Sequence, residues 1–517
     1  MKENAFTIHV ANASIRRAVH LKKAADRPLD PRGDPPFEGR VLFWNDIFFV
    51  SERVIVTSTQ SAQLAGRASW SGKLAFVLAA AASAVGLGSM WRFPYLAAKY
   101  GGGTFLITYF VFVFTIGIAL LLLETALGRK TGQSSIGAFK MFGKKFAFIG
   151  VFMSAVPFII VPYYCVIGGW VTRYLGGYAM GGAGMADGGD FFSGFITSGP
   201  ESLIFMLLFM ALTYFVVGRG VNGGIEKANL IMMPALIIIA AALAIYALTL
   251  PGAIDGLKFY LVPDMSKFSP ELVIAALGQT FFTLSLAMGI MVTYGSYLDK
   301  STKLTSSVGQ IAGTTFGVSL LAGFMIVPAT FVAMGSADAV AQNSGPSLMF
   351  IVLPQVFEGL GSIAPIVGVV FFVLVLFAAL TSSISLVETC TSIIQDGLHC
   401  SRKKAFIVTV VWTTLMGVLV NLGYSSLSFI QPMGEGSSIL DFLDFISNSV
   451  MMPLAALMTC IFVGWIIKPK AIEEEVMLSA PFKMRKIWAF TIKYIAPILV
   501  IIILVAYVAS TLGFFKM

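Results

Sequence analysis

Long apolar runs separated by short polar stretches recur from Lys73 almost to the last residue. Most match or exceed the roughly 20 residues an α-helix needs to cross a bilayer. The pattern predicts eleven membrane segments, over 73–98, 104–128, 146–176, 200–217, 228–249, 270–298, 305–334, 362–396, 403–422, 438–467 and 487–513. Two of them carry a fault. In segment one, Gly86, Gly88, Arg92 and Pro94 follow an unbroken apolar stretch. In segment six, Ser285, Ala287 and Gly289 interrupt the run. Irregular backbone at membrane depth survives only inside protein or against a cavity. Either break alone is equally well a packing glycine. As a pair they stand five segments apart, so the two helices cross in opposite senses. That is the signature of an inverted repeat, segments one to five against six to ten, with broken helices at the site of a secondary transporter. Segment eleven lies outside the repeat.

Composition agrees: 57% of residues are hydrophobic and 12% charged, which excludes a soluble domain of this length. The net charge of +9 is not a nucleic-acid signal, because it concentrates in alternate loops. Arg129, Lys130, Lys140, Lys144 and Lys145 follow segment two, and Arg402, Lys403 and Lys404 follow segment eight. The loops after segments four, six and ten are basic as well. This bias predicts a multi-pass protein of the inner (plasma) membrane, with the N-terminus cytoplasmic and the C-terminus extracytoplasmic. Residues 1–65 differ: they are polar, hold Pro28, Pro31, Pro35 and Pro36, and lack a signal-peptide pattern. A flexible cytoplasmic tail is expected there; a later translation start is the plain alternative. Residues 66–513 form the membrane domain, with repeat one over about 73–249, repeat two over about 270–467 and an extra helix over 487–513. The four cysteines have no metal-ligand spacing. No nucleophile constellation or phosphate loop is visible, so no enzyme is expected.

Unwinding frees carbonyls on one side of a break and N–H groups on the other. Segment one offers the carbonyls of Ala82, Ala84 and Val85 to a small cation, and the N–H groups of Leu87 and Gly88 to a carboxylate. Segment six offers the same from Phe282, Thr283 and Ser285. A zwitterionic amino acid fits such a site. In segment eight, the hydroxyls of Thr381 and Ser382 with the Ala378 carbonyl make half an oxygen cage for a hard cation. Equally, those hydroxyls bond back to the preceding turn. Two charge pairs are candidate gates, Arg92 with Asp444 outside and Arg67 with Asp396 inside. Glu124 and Glu388 lie deeper and are expected to bond unwound backbone N–H groups.

Ser83-Ala-Val-Gly-Leu-Gly-Ser-Met-Trp-Arg-Phe-Pro-Tyr95, then Gln279-Thr-Phe-Phe-Thr-Leu-Ser-Leu286, then Leu380-Thr-Ser-Ser383 resemble the neurotransmitter:sodium symporter family, in particular its bacterial amino-acid branch. The resemblance covers about residues 67–513. It implies an all-α, leucine-transporter-like fold of eleven helices and a sodium-coupled symporter working by alternating access. A second sodium site would comprise Ala82, Val85, Ala378, Thr381 and Ser382. Substrate would contact Ala84, Leu87, Gly88, Tyr164, Phe282, Thr283 and Ser285, with its side chain among Ile160, Met288, Ser382 and Leu386. Tyr164 and Phe282 would form a lid, and Trp70 would join Arg67 and Asp396 at the inner gate.

Two positions depart from the family pattern. The first sodium site takes an asparagine from segment one where this chain has Ser89, and its segment-seven ligand falls on Thr314 or Thr315. Ala84 and Thr283 complete that site. Segment seven holds no acid, and Ser319 lies four residues past Thr315 on the same helix face. With Tyr109, Gln279 and Thr283 it resembles the chloride-binding set of the animal transporters. Either chloride supplies the missing negative charge, or the first sodium is absent and none is needed. Gly86 stands where amine transporters resemble one another in carrying aspartate, which implies a substrate that keeps its carboxylate. The expected substrate is a neutral, hydrophobic or aromatic amino acid. The competing reading is a sensor of the same fold signalling through residues 1–65.

Overall fold

The computed structural model describes residues 68–511 apart from 188, 336, 337 and 344. The proposed tail and Arg67 lie outside the described residues. Helices carry most of the described chain, and no strand occurs among the described residues. Nine continuous helices in that part are long and apolar enough to cross a membrane, from Gly103–Thr131 (segment two) to Arg485–Ser510 (segment eleven). Segment one is the bent pair Lys73–Ala84 and Gly88–Lys99, turning by 57° at the break; counted as one span it makes ten. Segment six is the difference from the eleven expected. Its halves, Pro270–Thr283 and Ile290–Gly295, have 14 and 6 residues, and neither alone reaches across a bilayer.

The breaks follow from local chemistry. Ala79, Ala80, Ala81 and Ala82 are wholly buried, so the inner half of segment one packs on all sides through small side chains. At its end, Gly86 donates its N–H to the Ala84 carbonyl (3.2 Å), and Ser89 donates to the Gly86 carbonyl (3.1 Å). In a continuous helix those amides would close on Ala82 and Val85. Pro94, which has no N–H to give the helix, lies just past the π-turn Gly88–Arg92 within the outer half Gly88–Lys99. In segment six the helix stops at Thr283, and Ser285 (φ 51°), Ala287 (φ 61°) and Gly289 (φ 73°) take left-handed conformations before it restarts.

These two helices are wrapped by the rest. Segment three (Lys144–Ala179) packs along segment eight (Gly361–Leu398), and segment five (Val221–Thr249) along segment seven (Leu304–Met334). The inner half of segment six lies on segment two.

Candidate functional site

The two breaks face each other. Ser285 donates its hydroxyl to the Ser83 carbonyl (3.2 Å), and Ser382 of segment eight donates to the same oxygen (3.1 Å). Ser83, next to Ala82 in the chain, is thereby tied to the segment-eight helix that carries Ala378, Thr381 and Ser382. Ala82, Val85, Ala378 and Thr381 are fully buried. Thr381 does bond back to its own helix, donating to Phe377 (3.0 Å) and Ala378 (3.1 Å). A hydroxyl that donates keeps its oxygen lone pairs, so this back-bonding leaves it able to face a cation.

A cavity of about 350 Å³ opens between the breaks and segments three, eight and ten. All of the substrate residues expected from sequence line it: Ala84, Leu87, Gly88, Ile160, Tyr164, Phe282, Thr283, Ser285, Met288, Ser382 and Leu386. The Tyr164 hydroxyl accepts the Leu87 N–H (3.3 Å), an amide that the break turned toward the cavity. A Cβ on Gly86 would stand 2.5 Å from the Ser382 Oγ, and one on Gly88 2.1 Å from the Phe282 ring, so both glycines are required by close approach. Tyr163, Ile290 and Asn448 also line the cavity and were not expected. Asn448 had a signal, standing one helical turn after Asp444.

Next to this cavity a polar cluster gathers the residues expected for a first sodium and for chloride. Gln279 donates from Nε2 to the Gly88 carbonyl (3.2 Å) and to Thr283 Oγ1 (2.8 Å). Ser319 donates to Ser89 Oγ (3.3 Å), and Tyr109 lies against Thr283 and Ser319. Thr315 Oγ1 and Gln279 Oε1 are buried without a hydrogen-bond partner. Thr315 is fully buried, whereas Thr314 is only partly so.

The two charge pairs expected as gates are arranged differently. Arg92 and Asp444 line the same cavity but form no ion pair. Arg92 reaches Tyr507 (3.1 Å) and covers the Phe282 ring (5.2 Å), while Asp444 accepts from Tyr163 (3.2 Å) and Asn448 (2.6 Å). On the inner side, Trp70 donates its ring N–H to the Tyr294 carbonyl (3.0 Å), and Ser71 donates to Glu226. Asp396 accepts the Ser134 N–H (2.7 Å). Glu124 does what was expected, accepting the Ala287 N–H of unwound segment six (2.7 Å). Glu388 does not: it pairs with Arg402 (2.6 Å) and accepts from the Tyr297 hydroxyl (2.8 Å), because a guanidinium satisfies a buried carboxylate better than a lone amide.

Two broken helices facing each other across a cavity within a helical membrane protein define a secondary transporter. A family model described as the Sodium:neurotransmitter symporter family matches residues 67–178 and 193–514. An uncharacterized sodium-dependent transporter of Bacillus subtilis is 37% identical over 444 residues, covering 84% of this chain and 96% of its own. Another, from Haemophilus influenzae, is 34% identical over 85% of this chain and 98% of its own. The crystal structure of MhsT in complex with L-phenylalanine is similar at a TM-score of 0.76 and 38% identity, over 86% of this chain and 100% of that one. The chain belongs to the sodium:neurotransmitter symporter family; it is a sodium-dependent membrane transporter, not an enzyme.

Proposed function

We propose that this protein is a sodium-coupled symporter that imports a neutral hydrophobic or aromatic amino acid by alternating access. The observation that carries this reading is the cavity between the two breaks, with its lining of Ile160, Tyr164, Phe282, Met288 and Leu386 around an exposed backbone. The similar MhsT structure holding L-phenylalanine supports the same substrate class. The carboxylate would take the N–H groups of Leu87 and Gly88 at the positive end of the following half-helix, and the ammonium group the oxygens of Ala84, Phe282, Thr283 and Ser285. Sodium would be held by the carbonyls of Ala82, Val85 and Ala378 with the hydroxyls of Thr381 and Ser382. Binding from outside lets the Tyr164–Phe282 lid close and Arg92 approach Asp444. The inner half of segment one, held by the bond from Trp70 to the Tyr294 carbonyl, then swings open. The basic loops support a cytoplasmic N-terminus.

A second reading concerns the polar cluster of Tyr109, Gln279, Thr283, Ser89, Thr315 and Ser319. Buried polar atoms without partners are uncommon, and Gln279 Oε1 and Thr315 Oγ1, the latter four residues before Ser319 on the same helix face, are two such atoms. That supports an ion among them, either a first sodium or chloride.

Uptake into proteoliposomes with a panel of amino acids, replacing sodium by potassium and chloride by gluconate, tests both. Concentrative uptake of L-phenylalanine or L-leucine is expected only with sodium, and the Thr381→Ala/Ser382→Ala double variant is expected to abolish it. Sodium coupling that survives in the double variant overturns the second-site assignment, and binding without uptake favours the sensor. Chloride as cluster ion requires slower uptake in gluconate; equal uptake discards it.

A further inference from the structure

Both members of the outer gate are held apart by other partners, and one of these lies on the helix outside the repeat. Arg92 donates from Nη2 to the Tyr507 hydroxyl of segment eleven (3.1 Å) and lies 5.2 Å from the centre of the Phe282 ring. Arg92, Phe282 and Tyr507 line a small side cavity of about 20 Å³ that also touches Gly278 and Asn448. Gly278 is what lets Tyr507 get there: a Cβ at this position would stand 2.0 Å from the tyrosine hydroxyl. On the opposite side Asp444 is occupied by Tyr163 and Asn448.

We infer that Tyr507 is a positioning residue of the transport cycle, an acceptor that parks Arg92 away from Asp444 and so sets how often the outer gate stands open. The inference rests on the gate reading of Arg92 and Asp444 proposed above. Its physical basis is competition. Arg92 exchanges Tyr507 for Asp444 on closing, and a hydrogen bond to a charged group made in only one of two states biases them by its own strength. Removing the Tyr507 oxygen leaves the closed pairing untouched and weakens only the open one. Segment eleven, peripheral in the repeat, thereby gains a hold on the gate.

The test is labelling of a cysteine placed in the outer cavity, Ser449→Cys, by a membrane-impermeant thiol reagent in sodium without amino acid. The background carries Cys400→Ser, since Cys165, Cys390 and Cys460 are buried. Tyr507→Phe is expected to slow labelling by about two- to ten-fold. Gly278→Ala, which displaces the hydroxyl while keeping the tyrosine, is expected to do the same. In an Arg92→Ala background, Tyr507→Phe is expected to change nothing. An unchanged labelling rate in Tyr507→Phe overturns the inference, as does equal slowing with and without Arg92, which marks a packing effect. Asp444→Asn is expected to speed labelling. If neither it nor Arg92→Ala moves the rate, the gate reading itself fails and takes this inference with it.

Discussion

A methyl group on Gly88 would overlap the Phe282 ring, at 2.1 Å from Cε1 and 2.3 Å from Cδ1. Gly88→Ala must therefore displace the Phe282 ring or shift the break. We expect initial uptake to fall at least about ten-fold, because ångström-scale misplacement at a positioning site costs on that order or more. A size-exclusion profile like that of the parent would show that the fold survives. Uptake within two-fold of the parent would refute the close-approach role of Gly88. Ser89 shows what a single position does not reveal by itself. In sequence it stands out as a departure from the family pattern, and its hydrogen bond with Ser319 lies 230 residues away along the chain.

Segment six holds two non-glycine residues, Ser285 and Ala287, in left-handed backbone. For L-residues that conformation costs roughly 1–2 kcal/mol each. It persists because neighbours over-determine it. Ser285 bonds to segment one, and the Ala287 N–H bonds to Glu124 on segment two. Glu124→Leu strands the buried amide and is expected to destabilise by about 1–3 kcal/mol. Glu124→Gln keeps an acceptor and should lower the thermal midpoint much less. Equal loss in both variants, measured by thermal unfolding in detergent, would mean that the charge and not the backbone bond matters. The break itself was visible in sequence from Ser285, Ala287 and Gly289. The packing of the segment's inner half on segment two was not.

Across the whole molecule, one buried ion cluster joins elements that sequence treats as unrelated. Arg129 at the C-terminal end of segment two pairs with Glu475 (2.8 Å), and Lys300 pairs with the same carboxylate (2.9 Å). Arg129 also donates to the Thr302 carbonyl (2.6 Å) and to the Glu475 carbonyl. Segment two, the loop after segment six and the short helix Lys470–Met477 are thus tied at one point. Arg129→Met leaves Glu475 buried with one remaining partner and is expected to cost about 3–5 kcal/mol. The pair Arg129→Met/Glu475→Leu should recover most of that loss, because replacing a buried pair by apolar groups is often near neutral. A double variant as unstable as the single one would contradict this account. In sequence Arg129 reads only as part of a basic loop, since its partner lies 346 residues away.

The sequence by itself determined the class of molecule, the two broken segments and the lining of the cavity between them. Those are local properties: apolar length, glycine and proline placement, and motifs whose residues sit side by side. Partner choice among buried polar groups was decided by tertiary structure alone. Glu388 took Arg402 instead of a free amide, Thr315 turned inward where Thr314 did not, and Arg92 went to Tyr507 rather than Asp444. A charge inside the membrane must find a partner, which periodicity can announce. Which partner it finds depends on what packing brings within about 3 Å, and no single stretch of chain contains that distance.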